Sequence, residues 1–388
     1  MTTYRIPLEL DLASIPALST ESLIDVDLAL VAAHAGYSGR LAPEVVSVTL
    51  PDGRPLPCQP LPEGRLLLSL GALTAAEGRL PLSVLIGGAP RQPGGAPRVV
   101  FSQGTDDVEL LIDGLLIARY RYNTADPDLP RPYFHPILGP TGVPITQDGE
   151  IPGKREAHFH HTGVVVAHQN FTDGNNWQIG PNHSRMRHLG FTVMQSGPLF
   201  GRFVQRLEWP SVQGDRVVFT EVRTVTVPAR EPARRCLDVE TVITCGERPA
   251  VWNATPYHLL ALRVPDAMTV ASGGVITNSE GKKNSETAGA RAKWLDFSGN
   301  LNGACGAAIF DHPENLRHPI PWLNFENETV GAAPTYHEPY AWQPEESRRF
   351  RYRVYFHAGD VQSGRVAEEY AAWTAAPSVR VGPPARIA

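Results

Sequence analysis

Proline and glycine punctuate this chain from end to end, with 36 and 35 copies among its 388 residues. Proline removes a backbone donor and glycine carries a high entropy cost inside a helix. A scatter this dense favours short strands joined by turns. The stretches between the breaks agree. Residues 4–12 (YRIPLELDL), 45–50 (VVSVTL), 65–70 (RLLLSL) and 80–86 (LPLSVLI) are short, rich in β-formers and bounded by turn residues. The clearest strand is 216–227, RVVFTEVRTVTV, which alternates along its length, and 348–359, RRFRYRVYFHAG, is a second. One helix is expected, at 364–376, where Val366, Tyr370 and Trp373 recur at helical spacing, placed to cover a sheet face or edge. The expected fold class is all-β. A small N-terminal sandwich spans 1–87, a Gly/Pro/Arg linker 88–99, a larger antiparallel sandwich 100–377, and a loosely held tail 378–388.

Composition bounds the function. An apolar fraction of 42% supplies a sizeable core. Charged residues make up 19%, the net charge is −5 and no basic block stands out, so nucleic acid is not expected as a partner. The longest apolar runs, such as GVVVAH and LLALRV, fall far short of the roughly 18 residues of a membrane span. The start, MTTYRIPLELDL, has no targeting pattern, so a cytoplasmic protein with no membrane partner is expected. None of Cys58, Cys236, Cys245 and Cys305 forms a C-x-x-C pair. Cys236 and Cys245 are spaced to face each other across a hairpin, but a reducing compartment argues against a disulfide. Phosphate-binding glycine loops, a G-x-S-x-G elbow and H-E-x-x-H are all absent, which disfavours nucleotide-dependent enzymes and serine hydrolases.

Four stretches carry a resemblance: RPYFHPILGPTGVPIT (131–146), HFHHTGVVVAH (158–168), GGVITNSEG with ARAKWLDFSG (273–299), and GAAIFDHPENLRHPIPW (306–322). In this order and spacing the chain resembles a bacterial family widely labelled "methane oxygenase PmoA", over most of residues 100–357. That label names a membrane-embedded subunit. The resemblance implies instead a soluble all-β protein, often encoded near carbohydrate-catabolic functions, whose larger domain is similar to the β-supersandwich of galactose mutarotase and several polysaccharide lyases. Fold alone does not settle function. This chain departs from the family pattern in three places. The DHPHHRG pattern becomes AHFHHTG, with Ala157 and Thr162 replacing an aspartate and an arginine. An acidic DTKEG segment becomes NATPYHL (253–259), and WHVRDYG becomes WLNFENE (322–328).

The histidine cluster raises three readings: proton transfer, packing and metal. On a strand, His158 and His160 would share one face and His161 the other. An H-x-H pair can hold a divalent metal, with a third ligand from Asp311, His312 or His135. Imidazole also titrates near neutrality, so His160 or His161 could act as a general base with a carboxylate or tyrosine partner. His168, at the far end of an apolar run, fits packing. Asp311 and His312 leave a strand end, where Asp311 either orients a histidine, binds a sugar hydroxyl or caps its own turn. Glu221 and Arg223 lie two apart on one strand face, as a base and sugar ligand or as an exposed ion pair. Tyr133, His135, Trp177, Trp294 and Trp322 suit a carbohydrate cleft, although any one of them is more often core.

The function expected is cleavage of a glycosidic bond in a small saccharide or glycoside, lyase-type or hydrolytic, with histidine acid–base catalysis. Hydrolysis needs two spaced carboxylates, which no motif here announces, whereas elimination needs an acid and a base that His and Tyr can supply. The alternatives are a sugar mutarotase or epimerase and a non-catalytic sugar-binding protein.

Overall fold

The two long alternating runs become the strands Val217–Pro228 and Ser347–Ala358. The computed structural model describes residues 3–11, 23–37, 46–61, 64–69, 78–86, 96–124, 130–148, 159–180, 182–325, 328–375 and 378–387. His158 and most of the expected linker lie outside the described residues. The chain divides into two compact units, residues 1–98 with 197–200 and 368–388, and residues 99–196 with 201–367.

Among the described residues of the larger unit, two antiparallel sheets dominate. The nine-stranded sheet runs in the order Arg291–Ala292, Ile320–Phe325, Thr329–Ala332, His258–Arg263, Val164–His168, Tyr133–Ile137, Leu115–Arg121, Asp107–Ile112 and Val99–Gln103. The eight-stranded sheet runs Arg187–Gln195, Phe200–Pro210, Val217–Pro228, Arg234–Cys245, Ser347–Ala358, Ala304–Asp311, Trp294–Asn300 and Val275–Asn278. Both contribute to one core, with Phe134, Val166, Leu260 and Trp322 from the first and Phe203, Phe219, Leu295 and Val354 from the second. Burying one face of each sheet in this way is the ordinary route to a sandwich.

The nine-stranded sheet is unusual in burying its second face too. Val164 and Val166 join the shared core, whereas Val165 and Ala167 point the other way, into a separate cluster with Tyr133, Trp177, Ala261, Leu323 and Ala333. Register confirms the shared face: Val165 lies opposite Tyr133 on one side and Ala261 on the other. A strand buried on both faces needs no polar alternation, which is why 164–167 reads VVVA.

In the smaller unit, Thr3–Asp11 is flanked by Arg79–Ile86 on one side and by Ser378–Val381 and Ala385–Ile387 on the other. The segment expected as a loose tail thus supplies two strands. A second helix, Leu28–Ala35, was not expected from its apolar sequence. Asp27 caps it by accepting from the Ala29 and Leu30 N–H groups, and Gly36 ends it at φ 65°. The expected late helix forms over Val366–Thr374. None of the four cysteines forms a disulfide. Cys236 and Cys245 sit near the two ends of one strand, Arg234–Cys245, rather than across a hairpin, so the pairing considered for them is geometrically closed. No helix among the described residues is long and apolar enough to cross a membrane.

Candidate functional site

The second face of the nine-stranded sheet gathers most of the chemistry. Its floor is made of small side chains, Val165, Ala167, Ala261 and Ala333. Over that floor come Trp177, Tyr257, Phe325 and Tyr336. Trp177 is set by an Asx turn, in which Asn175 Oδ1 accepts from the backbone N–H groups of Trp177 and Gln178, both at 3.1 Å.

His160 and His161 do not lie on a strand, as alternation had suggested. They occupy the turn before Val164–His168. Gly163 makes that turn possible: at φ +38°, a Cβ there would stand 1.8 Å from the Phe134 carbonyl oxygen. Two arginines grip the turn. Arg131 Nη2 donates to the His160 carbonyl, and Arg263 Nη1 donates to the His161 carbonyl at 3.1 Å. The His161 ring, 2% exposed, packs edge-on to Trp177 and Phe325 at 5.6 and 5.4 Å. Its Nδ1 meets Thr329 Oγ1 at 3.1 Å and Glu328 Oε1 at 3.5 Å. His160 is half-buried, 4.5 Å from His161 between ring centroids, and next to Phe159, whose ring is 51% exposed.

Tyr133 anchors a second group on the same face. Its hydroxyl donates to Asp148, with Oδ2 at 3.0 Å, and accepts from Arg121 Nη1 at 2.9 Å. Arg121 and Asp148 are themselves 3.3 Å apart and partly open to solvent. Burial, with the Asp148 charge beside it, pushes the Tyr133 phenol well above its ordinary pKa. The group therefore stays a proton donor at neutral pH. His135 lies two residues on, its Nδ1 3.0 Å from Thr146 Oγ1. Burial lowers its pKa; Arg121 adds to this and Asp148 opposes it, leaving a neutral ring at neutral pH.

Tyr133, His135, His160, His161 and Trp177 thus belong to one face of one sheet. Arg121, Arg131, Asp148, Phe159, Arg263 and Glu328 also belong there, and sequence reasoning missed them. No local motif marks them, because strands and turns distant in sequence deliver them.

Other expected site residues lie elsewhere. Glu221 and Arg223 are each 1% exposed inside the sandwich core. The Glu221 carboxylate accepts from Arg223 Nε at 2.7 Å and Nη2 at 3.0 Å, Trp209 Nε1 at 2.8 Å and Thr241 Oγ1 at 2.8 Å. A carboxylate saturated by four donors and closed off from solvent is a structural pair, neither an exposed one nor a site. Trp322 is fully buried, and its indole donates to the Ala292 carbonyl at 2.9 Å. Trp294 pairs in register with Phe310 on the eight-stranded sheet. His168 is fully buried, accepting at Nδ1 from the Asn170 N–H at 3.0 Å.

Asp311 and His312 belong to a separate constellation. Asp311 is fully buried, with His318 Nδ1 at 2.6 Å and Asn315 Nδ2 at 2.7 Å, so it orients His318 rather than capping its own turn. Burial raises the Asp311 pKa, although its two partners oppose the shift. Burial, together with Arg351, lowers the pKa of His312 to about 4, so the ring is neutral at neutral pH. Among the described residues no three His, Cys, Asp or Glu side chains converge as a metal site. A cleft of about 580 Å³, lined by Thr124, Ile179, His183, Arg185, Met186 and Val212 among others, contains none of the expected site residues.

Comparison with solved structures gives distant matches. One is a protein of glycosyl hydrolase family 38 from Enterococcus faecalis, 11% identical with a TM-score of 0.41, covering 99% of this chain and 47% of that one. Another is an α-mannosidase from Enterococcus faecalis, 11% identical with a TM-score of 0.48, covering 99% and 46%. A third is a GalM/aldose epimerase homologue from C. elegans, 11% identical with a TM-score of 0.31, covering 68% of this chain and 100% of that one. The chain spans about half the length of the two enterococcal proteins. No curated protein matches. A profile of the family of unknown function DUF6807 matches residues 107–371, well over half of the 388 residues, and the chain belongs to that family.

Proposed function

We propose that the second face of the nine-stranded sheet is the acid–base site of an enzyme that cleaves a glycosidic bond in a small saccharide or glycoside. The observation that carries this reading is the gathering of Tyr133 with Asp148, and of His160 with His161 and Glu328, onto one face from separate chain segments. The exposed Phe159 ring beside His160 offers an apolar surface for the C–H face of a sugar. The resemblance to the family labelled PmoA belongs to the same proposal and supports a saccharide as the substrate.

The roles follow from each group's environment. Tyr133 keeps its proton and is the acid for the leaving oxygen, with Asp148 orienting the phenol. His160, half-buried and held through its own carbonyl, is the proton acceptor. Glu328 and Thr329 fix the His161 ring behind it. Hydrolysis would need two spaced carboxylates at the bond. The two at this face are engaged, Asp148 by Tyr133 and Arg121, Glu328 by His161. Elimination is therefore the favoured route.

The test is mass spectrometry of a glycoside and oligosaccharide panel after incubation with wild-type protein and with His160→Ala. Expected are products whose masses sum to the substrate alone, lost in the variant. Products that sum to substrate plus water would make Asp148 and Glu328 the catalytic pair. An isomer of unchanged mass would identify an epimerase. Turnover that survives His160→Ala unchanged would refute the site.

A further inference from the structure

We infer that Arg131 is the docking point for an anionic group on the saccharide, so that the substrate class is an acidic sugar, a uronide. The inference rests on the reading above that this face handles a saccharide. Arg131 is 1% exposed. Its Nη2 donates to the His160 carbonyl, while Nε and Nη1 are buried without a hydrogen-bond partner among the described residues. Two other buried arginines of this unit are answered by carboxylates, Arg223 by Glu221 and Arg353 by Asp238 at 2.6 Å. Holding a guanidinium out of water with no counter-charge costs several kcal/mol. Strain of this kind is kept where a ligand relieves it.

Two more donors around the same turn are unanswered. The Trp177 indole Nε1 and the Thr162 hydroxyl are both buried without a partner among the described residues. Trp177 packs on His161, and Thr162 follows it in the chain. Unanswered donors from residues 131, 162 and 177 thus lie in or beside the turn that carries both histidines, and the Thr162 hydroxyl can accept as well. Such a cluster complements an acceptor-rich group, and the guanidinium selects for negative charge. Phe159, 51% exposed, is where the turn meets solvent.

A carboxylate at this point also serves the chemistry. It acidifies the hydrogen on the ring carbon beside it, and Arg131 stabilises the charge that develops as that proton leaves. His160 takes the proton, and its electron pair forms a double bond to the neighbouring ring carbon. The bond from that carbon to the glycosidic oxygen breaks, and Tyr133 gives the leaving oxygen its proton. Atoms and charge balance without a co-reactant.

The test is calorimetric binding to the full chain of methyl glucuronide, methyl glucoside, a hexose phosphate and inorganic phosphate. Wild type, Arg131→Met and Arg131→Lys are compared, with unfolding midpoints measured alongside. Expected is tighter binding of the glucuronide than the glucoside, by about tenfold or more. Arg131→Met should erase that preference while leaving the midpoint unchanged or raised, since a bare buried charge has been removed. Equal binding of glucuronide and glucoside overturns the anionic assignment and leaves the saccharide reading standing. Tighter binding of either phosphate overturns the uronide class. A lowered Arg131→Met midpoint with the preference intact makes Arg131 a structural cation. If the methionine variant does not fold, Arg131→Lys decides: glucuronide binding unchanged from wild type overturns the inference, and several-fold weaker binding sustains it. No binding of either sugar overturns both readings.

Discussion

Replacing Glu221 tests whether a carboxylate that looks catalytic in sequence is structural in the fold. In Glu221→Leu, Arg223 keeps its charge, stays 1% exposed and retains only the Tyr120 hydroxyl, 3.0 Å from Nη1, as a partner. Breaking a buried pair by removing one member costs about 3–5 kcal/mol. The Trp209 and Thr241 donors also lose their acceptor, at about 1 kcal/mol or more each, which places the total at the upper end of that range. Urea unfolding followed by tryptophan fluorescence reads the loss directly, because six of the seven tryptophans lie in the larger unit. The double variant Glu221→Leu/Arg223→Met should recover most of it, since both charges then leave together. Two results would refute the reasoning: a single variant that unfolds at the wild-type midpoint, or one that stays fully stable yet loses turnover. The second would return Glu221 to the chemistry.

Three further expectations follow from the geometry. Tyr133→Phe should lower turnover by roughly a hundredfold, the scale of a lost general acid, while costing about 1 kcal/mol of stability for the lost hydroxyl bonds; a variant with wild-type turnover removes Tyr133 from the mechanism. Gly163→Ala should destabilise by on the order of 2–4 kcal/mol, because its Cβ meets the Phe134 carbonyl, and a wild-type melting midpoint would show that the turn can shift cheaply. His357 is a pH probe on the eight-stranded sheet, fully buried with Asp296 Oδ1 2.8 Å from Nε2. Burial disfavours its charged form, but Asp296 and, more weakly, the Ala358 carbonyl and Asp360 outweigh burial and raise its pKa in the folded state. The stability it contributes is then fully present below the unfolded histidine value of about 6.5 and is lost as pH rises through the folded value. His357→Gln should flatten that part of the pH profile in urea midpoints, and an unchanged slope would place its source elsewhere.

Much of the architecture was legible because strand burial has a period of two. The run 216–227 showed more than was taken from it. Glu221 and Arg223 share their parity with Phe219, Val225 and Val227, all of them core residues. Three apolar neighbours on one face mark that face as buried, so the exposed ion pair could have been rejected from the sequence. The histidine turn was harder. Alternation assigned His160 and His161 to opposite strand faces, whereas the chain does not become a strand until Val164. Gly163 was the signal, since a glycine before an apolar run marks a tight approach of two backbones. Arg131, Asp148 and Glu328 had no such signal. Their roles depend on which strands pair, and pairing between residues roughly a hundred or more apart, as between Val164 and Leu262 or His161 and Thr329, is not encoded locally. The short helix Leu28–Ala35 was hidden for the opposite reason. Its apolar content has no helical period, and only the Asp27 cap and Gly36 stop betray it.

The departures from the resembled family also acquire a physical meaning. Segments 253–259 and 322–328 lie far apart in sequence, yet Tyr257 and Phe325 pack at one face, 5.9 Å apart between ring centroids, and Glu328 reaches His161 there. The third departure, Thr162, sits in the histidine turn itself and presents a buried hydroxyl with no partner. All three segments thus meet around His161. The charge at this face also has a direction. Where the family pattern carries an arginine in the turn and an acidic run at 253–259, this chain has neither, and Arg131 reaches the turn from just before a different strand, with Nε and Nη1 unpartnered among the described residues. Replacing Thr162 by arginine should therefore crowd the turn with a second guanidinium, weaken glucuronide binding by displacing the turn, and leave Arg131 where it is. Tighter glucuronide binding in Thr162→Arg would show instead that the two positions serve one anion site, with Arg131 only its deeper half.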